Sequence, residues 1–418
     1  MCDLQCQEGR PMRLHEIIDY PAAETADQLL IDVARRIQLS PEKHAKAETA
    51  YRALCDHIDR EDSPLHGLVG DCYPSGSFGI GAVVASRVRT NQHDLDVVLE
   101  LHMHRNTAPA VLLGMLYNAV RGEKGSRYYD KTTLNSRCVT VEYADGFKVD
   151  LMPIVRDSSG IERQGELFHS KDSESYRKPV NPYGFKTLYN KMVQTDPTFV
   201  RKFRTRDGLI LLEKADVEPM EGQVRLDDKS PRTVAVQLLK RYRDIRHRLP
   251  SRKGRRCVPS VVIAAWALDK PTVRSTLLHE LMDLSRFIQS RISTAQGHGQ
   301  LVDVYNPAWP DVDRFTDRWP GTANNQDLLL DDLEELSSKL EALASDALSP
   351  TETKALLQDL FGETAAEDAI TKMMERRQSQ EESGGLKYGL TGSVVTGTSA
   401  AVTGRSAARS STDFGGGA

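Results

Sequence analysis

The stretch Asp94-Leu95-Asp96-Val97-Val98-Leu99-Glu100-Leu101 constrains this chain more than any other. Its Val and Leu content marks a strand. Side chains alternate along a strand, so Asp94 and Asp96 share one face. A second strand is expected over Phe147 to Val155. There Phe147, Val149 and Leu151 share one face, and Lys148, Asp150 and Met152 the other. If the two strands are neighbours, Asp150 joins the first pair of acids.

Three carboxylates in one place repel one another and raise each other's pKa. A divalent cation removes that conflict. Oxygen ligands with room for water and phosphate suit Mg²⁺ or Mn²⁺, and two such ions can clamp the attacking and leaving oxygens of an in-line phosphoryl displacement. In that scheme Asp94 and Asp96 hold the ion on the triphosphate, and Asp96 bridges to a second. Asp150 binds the second ion and helps activate a ribose hydroxyl.

Gly76-Ser77 precedes the first acidic strand. Glycine lets backbone N–H groups approach a phosphate, and the serine hydroxyl adds a donor. The surrounding Gly76-Ser77-Phe78-Gly79-Ile80-Gly81 has the wrong glycine order for a dinucleotide fingerprint and lacks the Lys-Ser or Lys-Thr of a P-loop. No strand is expected to lead into it. Each motif alone recurs by chance in surface turns; their ordered combination carries the weight. His102 and His104 could share a face, but no third metal ligand accompanies them.

The 418 residues allow one to three domains. With 39% hydrophobic and 27% charged residues the chain reads as soluble and globular, and a net charge of −4 makes it no general polycation. No apolar run is long enough to span a bilayer, and the N-terminus lacks a signal-peptide pattern. Six scattered cysteines suggest reduced thiols and a cytoplasmic protein.

Residues 21–60 read as helical, with Ser40-Pro41 as a start signal, followed by a loop through Pro64, Gly67, Gly70 and Pro74. Val139 to Tyr143 is a further strand, joined to the next by Asp145-Gly146. Ala108 to Val120 reads as a helix. Beyond about residue 180 the chain turns helical. Thr233 to Arg248 repeats Val234, Leu238, Tyr242 and Ile245 at helical spacing among basic residues. Lys240 on that helix could neutralise a triphosphate, the alternative being a solvated face. The tract Arg252 to Arg256 reads as an exposed basic loop. Val261 to Leu268 reads as a buried helix, and the leucines from Leu329 to Leu343 as a helix packed on its own domain. Residues 383–418 hold nine glycines and one acid, a composition that builds no core and predicts a flexible tail.

Gly76-Ser77, Asp94-x-Asp96 and Asp150 resemble the active site of polymerase-β-type nucleotidyltransferases. Asn181-Pro182-Tyr183-Gly184-Phe185, Val217-Glu218-Pro219, Asp228-Lys229-Ser230-Pro231 and the run Ala235 to Asp244 are similar to segments of the bacterial second-messenger oligonucleotide synthetases, the SMODS family. These are relatives of cyclic GMP-AMP synthase found in CBASS anti-phage defence. The resemblance spans roughly residues 40 to 345.

It implies an α+β fold: a polymerase-β-like nucleotidyltransferase lobe with a mixed sheet, a helical lobe, and the active site in the cleft between them. The expected division is an N-terminal helical segment to residue 39, the transferase core to 210, the helical lobe to 382, then the tail. The implied activity is synthesis of a cyclic di- or trinucleotide from NTPs, ATP among them, and a nucleotide-activated effector downstream. Lys240 matches the family's triphosphate-contacting lysine, and Ser260 a small residue near the donor nucleotide. A glycine-rich tail ending in Ala418 suits conjugation by a ubiquitin-activating-like partner. A transferase making linear oligonucleotides or modifying tRNA is the alternative reading.

Overall fold

The structure is a computed structural model; it describes residues 19–85, 93–144, 146–193, 196, 197, 199, 229–345, 348–382, 386–388 and 394–396. The elements of the first lobe are β1 (Val69–Pro74), α3 (Gly76–Gly79), β2 (His93–Leu101), α4 (Pro109–Arg121), β3 (Thr132–Leu134), β4 (Val139–Glu142), β5 (Phe147–Arg156), β6 (Gly165–Lys171) and β7 (Glu174–Val180). Helix α2 (Pro41–Ile58) packs against α4, and Ser40 caps it by accepting the Lys43 N–H. Helix α1 (Asp19–Arg36) lies before it.

Seven strands form one sheet in the order β1-β2-β5-β4-β3, with β6 on β5 and β7 on β6. β2 and β5 run parallel, and every other pair is antiparallel. The sheet is therefore mixed. One edge of β5 pairs with β2 along its length; the other pairs first with β4 and then with β6. Pro153 falls in the gap between those two ladders, where its missing N–H removes no bond to β4 or β6.

The alternation expected for β2 and β5 is realised. Leu95, Val97, Leu99 and Leu101 pack with Val149, Leu151 and Val155 in a core closed by α2 and α4. The opposite face carries the acids. Farther along that face Val98 and Ile154 join Tyr73, Leu167 and Val180 in a small separate cluster.

The second lobe contains α6 (Pro231–His247), α7 (Ser260–Asp269), α8 (Leu277–Gly297), α9 (Ala323–Ala344), α10 (Pro350–Phe361) and α11 (Glu363–Glu382), with α5 (Pro182–Met192) at its border. Its core takes residues from all of these and from α1, and reaches back to Ile80 and Ala82 beside α3. Helix α1 thus packs as part of the helical lobe. The expected boundary at 210, and the Val217-Glu218-Pro219 and Asp228 matches, lie outside the described residues.

Several expectations change. The loop through Gly70 and Pro74 contains β1, an edge strand whose Gly, Asp and Pro hide its strand character. β1 leads directly into Gly76-Ser77, where no strand was expected. Cys55 and Cys72 form a disulfide joining α2 to β1, whereas scattered spacing suggested reduced thiols; Cys138 and Cys257 remain free. Helix α6 is not solvated: Pro231 through Tyr242 are all buried, the basic Arg232, Lys240 and Arg241 included. The expected tail contains two short antiparallel strands, β8 (Leu386–Tyr388) and β9 (Val394–Thr396). The rest of it, Ala418 included, lies outside the described residues. Among the described residues no helix is long and apolar enough to cross a membrane.

Candidate active site

In the parallel ladder of β2 and β5, Asp96 sits directly opposite Asp150 and Asp94 opposite Lys148. All three carboxylates line a cavity of about 740 Å³ between the sheet and the helical lobe. Gly76, Ser77, Lys240 and Ser260 line the same cavity. Seven of the eight residues singled out from sequence are thereby brought together; Ala418 is the exception.

The Gly-Ser turn is locked to the acids. The Ser75 N–H donates to the Asp96 carbonyl at 2.7 Å. Gly76 has φ +51°, and a Cβ there would collide with the Asp96 carboxylate. Only glycine meets both conditions without strain. Ser77 Oγ accepts a hydrogen bond from Lys240 Nζ at 2.6 Å, and the Ala82 carbonyl accepts a second at 2.7 Å. Lys240, 6% exposed, therefore crosses from α6 to the turn.

Electrostatics follow from this crowding. Asp96 opens onto the cleft, yet protein surrounds it on its other sides. That desolvation, then repulsion from Asp150 and Asp94, pushes its carboxyl up to about 7. Asp94 is raised by burial, then by repulsion from Asp150, with Lys148 opposing. Burial, then the neighbouring Arg243, pulls the Lys240 ammonium down to about 7, although Asp244 and Asp96 favour its charge. Asp150 is oriented from β4: Thr140 Oγ1 donates to Asp150 Oδ1, and Asn135 Nδ2 donates to Thr140 Oγ1 at 2.7 Å.

The donor set fits a hard divalent cation: it is all oxygen, and its members repel one another. Among the described residues no three acidic, His or Cys side chains are gathered closely enough to hold a metal ion by themselves, the three carboxylates and the His102/His104 pair included. Mg²⁺ at such a site would bind through one or two carboxylates, with phosphates and water completing its shell.

Residues that sequence reasoning missed also line the cleft, among them Arg137, Lys178, Arg243, Asp244 and Asp317. Arg243 donates to Ser260 Oγ at 3.0 Å and to the Val258 carbonyl at 2.9 Å, which fixes the start of α7. Arg137 pairs with Asp317 at 2.5 Å, and Lys178 lies 3.6 Å from the same carboxylate. These contacts join segments far apart in sequence, so no local pattern announces them. The Asn181-Pro182-Tyr183-Gly184-Phe185 string proves to be a brace. Asn181 Oδ1 accepts the Gly184 N–H at 2.7 Å and caps α5, while the Asn181 N–H donates to buried Asp313 at 3.0 Å.

The chain is similar to known proteins in both sequence and fold. Residues 25–178 match the Second Messenger Oligonucleotide or Dinucleotide Synthetase domain. The chain is 32% identical over 412 residues to the cyclic dinucleotide synthase CdnG of Bradyrhizobium diazoefficiens, covering 95% of this chain and 96% of that protein. The structure of the same organism's CD-NTase CdnG in complex with GTP aligns with a TM-score of 0.70 at 30% identity, over 82% of this chain and 97% of that one. The structure of Escherichia coli MS115-1 CdnC with ATP shares the fold, with a TM-score of 0.54 at 17% identity over 80% and 96% of the two chains.

Proposed function

This chain belongs to the family of second messenger oligonucleotide or dinucleotide synthetases, nucleotidyltransferases that make cyclic nucleotides, and from that premise we propose that it joins two NTPs into a cyclic dinucleotide. The observation that carries the reading is the placement of Asp96 opposite Asp150, with the Gly76-Ser77 turn and Lys240 against them in one cleft.

Asp94, Asp96 and Asp150 are the residues that would hold Mg²⁺ or Mn²⁺. When bound, such ions neutralise the carboxylates and offset charge on the attacking and leaving oxygens. The Gly-Ser turn and Lys240 receive the donor triphosphate. The ribose hydroxyl oxygen of the acceptor forms a bond to the donor α-phosphorus, and the bond from that phosphorus to the bridging oxygen breaks. Pyrophosphate leaves with the electron pair, and Asp150 takes the hydroxyl proton. A second transfer within the linear intermediate closes the ring and releases a second pyrophosphate.

The dinucleotide, over a trinucleotide, is favoured by the cyclic dinucleotide synthase that matches nearly the whole chain. Incubation with the four NTPs and Mg²⁺, then phosphatase and mass spectrometry, tests it. A phosphatase-resistant dinucleotide is expected; a wholly sensitive product would establish a linear transferase instead. Asp94→Asn with Asp96→Asn should abolish transfer while the fold persists. We place the activity in the cytoplasm, in anti-phage signalling to a nucleotide-activated effector. Ala418 is proposed as the conjugation point, tested by Ala418→Glu: loss of conjugation with synthesis intact is expected.

A further inference from the structure

A second cavity, about 520 Å³, lies beyond the Arg137–Asp317 pair, and Asp317 lines both cavities. It opens at the turn between β3 and β4. Lys171, Arg256, Arg314 and Arg318 line it against Glu174 and Asp317, so positive charge prevails. The cations converge at its inner wall. Arg318 Nη2 lies 3.0 Å from His169 Nδ1 and 3.2 Å from Ser136 Oγ, and Arg137 Nε lies 3.3 Å from the same imidazole nitrogen. His169 is 4% exposed and lines the cavity, and its buried Nε2 has no hydrogen-bond partner. Glu174 stands 3.6 Å from that nitrogen on an exposed side chain, and Asp317 is held by Arg137. Arg137 is paired with Asp317 and Arg314 with Asp303, but among the described residues Lys171, Arg256 and Arg318 have no carboxylate partner, and unpaired cations beside a buried imidazole favour an anion.

The position relates this cavity to the reaction. Ser136 precedes Thr140, the partner of Asp150, by four residues. At roughly 3.3 Å per residue, Ser136 on the cavity wall lies within about 13 Å of Thr140 along the chain. That is the reach of a nucleotide's ribose plus a 5′-triphosphate. The donor's phosphates belong to the Gly-Ser turn on the other side of the acids, so a separate polyphosphate seat can serve the acceptor.

We propose that this pocket holds the 5′-triphosphate of the acceptor nucleotide, with Arg318 and Lys171 as its ligands. The inference rests on the functional reading above. It makes these residues binding determinants for the acceptor and for the linear intermediate, which keeps the same 5′-triphosphate.

The test separates donor from acceptor. A 2′,3′-dideoxynucleoside triphosphate serves as donor, since it cannot accept. The acceptor is either the α,β-methylene triphosphate, which cannot donate, or the nucleoside monophosphate, in guanosine and adenosine series. Arg318→Gln and, on the exposed rim, Lys171→Gln should each raise KM for the methylene triphosphate about tenfold, the size of one charge-assisted hydrogen bond. Neither should change KM for the monophosphate. An equal rise for both acceptors would assign the residues a structural or regulatory role and overturn the proposal, as would no change for either. If wild-type protein transfers to no acceptor, the functional reading fails and this inference with it.

Discussion

Gly76 is glycine for two independent reasons that meet at one atom. Its backbone is left-handed, and its missing Cβ is the space that the Asp96 carboxylate occupies. Gly76→Ala should cost about 1–3 kcal/mol of stability through backbone strain. It should reduce turnover further by displacing Asp96. Chemical denaturation and steady-state rates measure the two effects separately. Asp96 itself makes a pH prediction. Its folded pKa of about 7 exceeds its unfolded value, so the native state binds the extra proton between about pH 4 and 7. Stability of the metal-free protein from this group is therefore present at low pH and lost as pH rises through 7. In EDTA, Asp96→Asn should remove that part of the decline and raise Tm above pH 7. An unaltered Tm profile would contradict the crowding described for this carboxylate.

At the scale of elements, β4 and α6 support the three acids while contributing none of them. β4 supplies Thr140, whose hydroxyl donates to Asp150. Thr140→Val keeps the branched shape and removes the donor. It should lower kcat by about tenfold, consistent with one lost orienting hydrogen bond, and leave KM nearly unchanged. Helix α6 carries Leu238 in the core and Lys240 at the turn. Leu238→Ala should cost about 2–5 kcal/mol, measured by denaturant unfolding, because Leu238 is fully buried. The helical spacing of Val234, Leu238, Tyr242 and Ile245 was legible in the sequence. The burial of the basic residues between them was not, because it depends on the Gly-Ser turn and α10 packing onto the other side. Arg241 Nε, for example, donates to the Phe361 carbonyl at 2.9 Å.

At the scale of the whole molecule, the cleft is a contact between lobes bridged by Lys240. A nucleotide bound there would touch both lobes and stabilise their closed arrangement. With Mg²⁺ and NTP at about 100 times Kd, mass action stabilises the protein by roughly 2.7 kcal/mol, read as a rise in Tm. Lys240→Met keeps the aliphatic stem and removes the charge. Most of the nucleotide-dependent rise should then vanish at the same concentration. A full rise in the variant would show that the triphosphate does not use this lysine.

The period-two patterns around Asp94, Asp96 and Asp150 determined by themselves which face of each strand is apolar and which is acidic. Alternation is local, and it needs only the backbone geometry of a strand. The helix start at Ser40 was equally local, since its cap reaches only three residues ahead. The tertiary structure alone decided that β2 and β5 are neighbours in parallel register, that an inconspicuous edge strand delivers Gly76, and that Cys55 meets Cys72. It alone placed Arg137, Lys178 and Asp317 together at the cleft wall. Those partners are separated by tens to hundreds of residues, and long-range pairing leaves no periodic trace in a single sequence. The acidic faces were therefore readable from the sequence, whereas the pocket that they line was not.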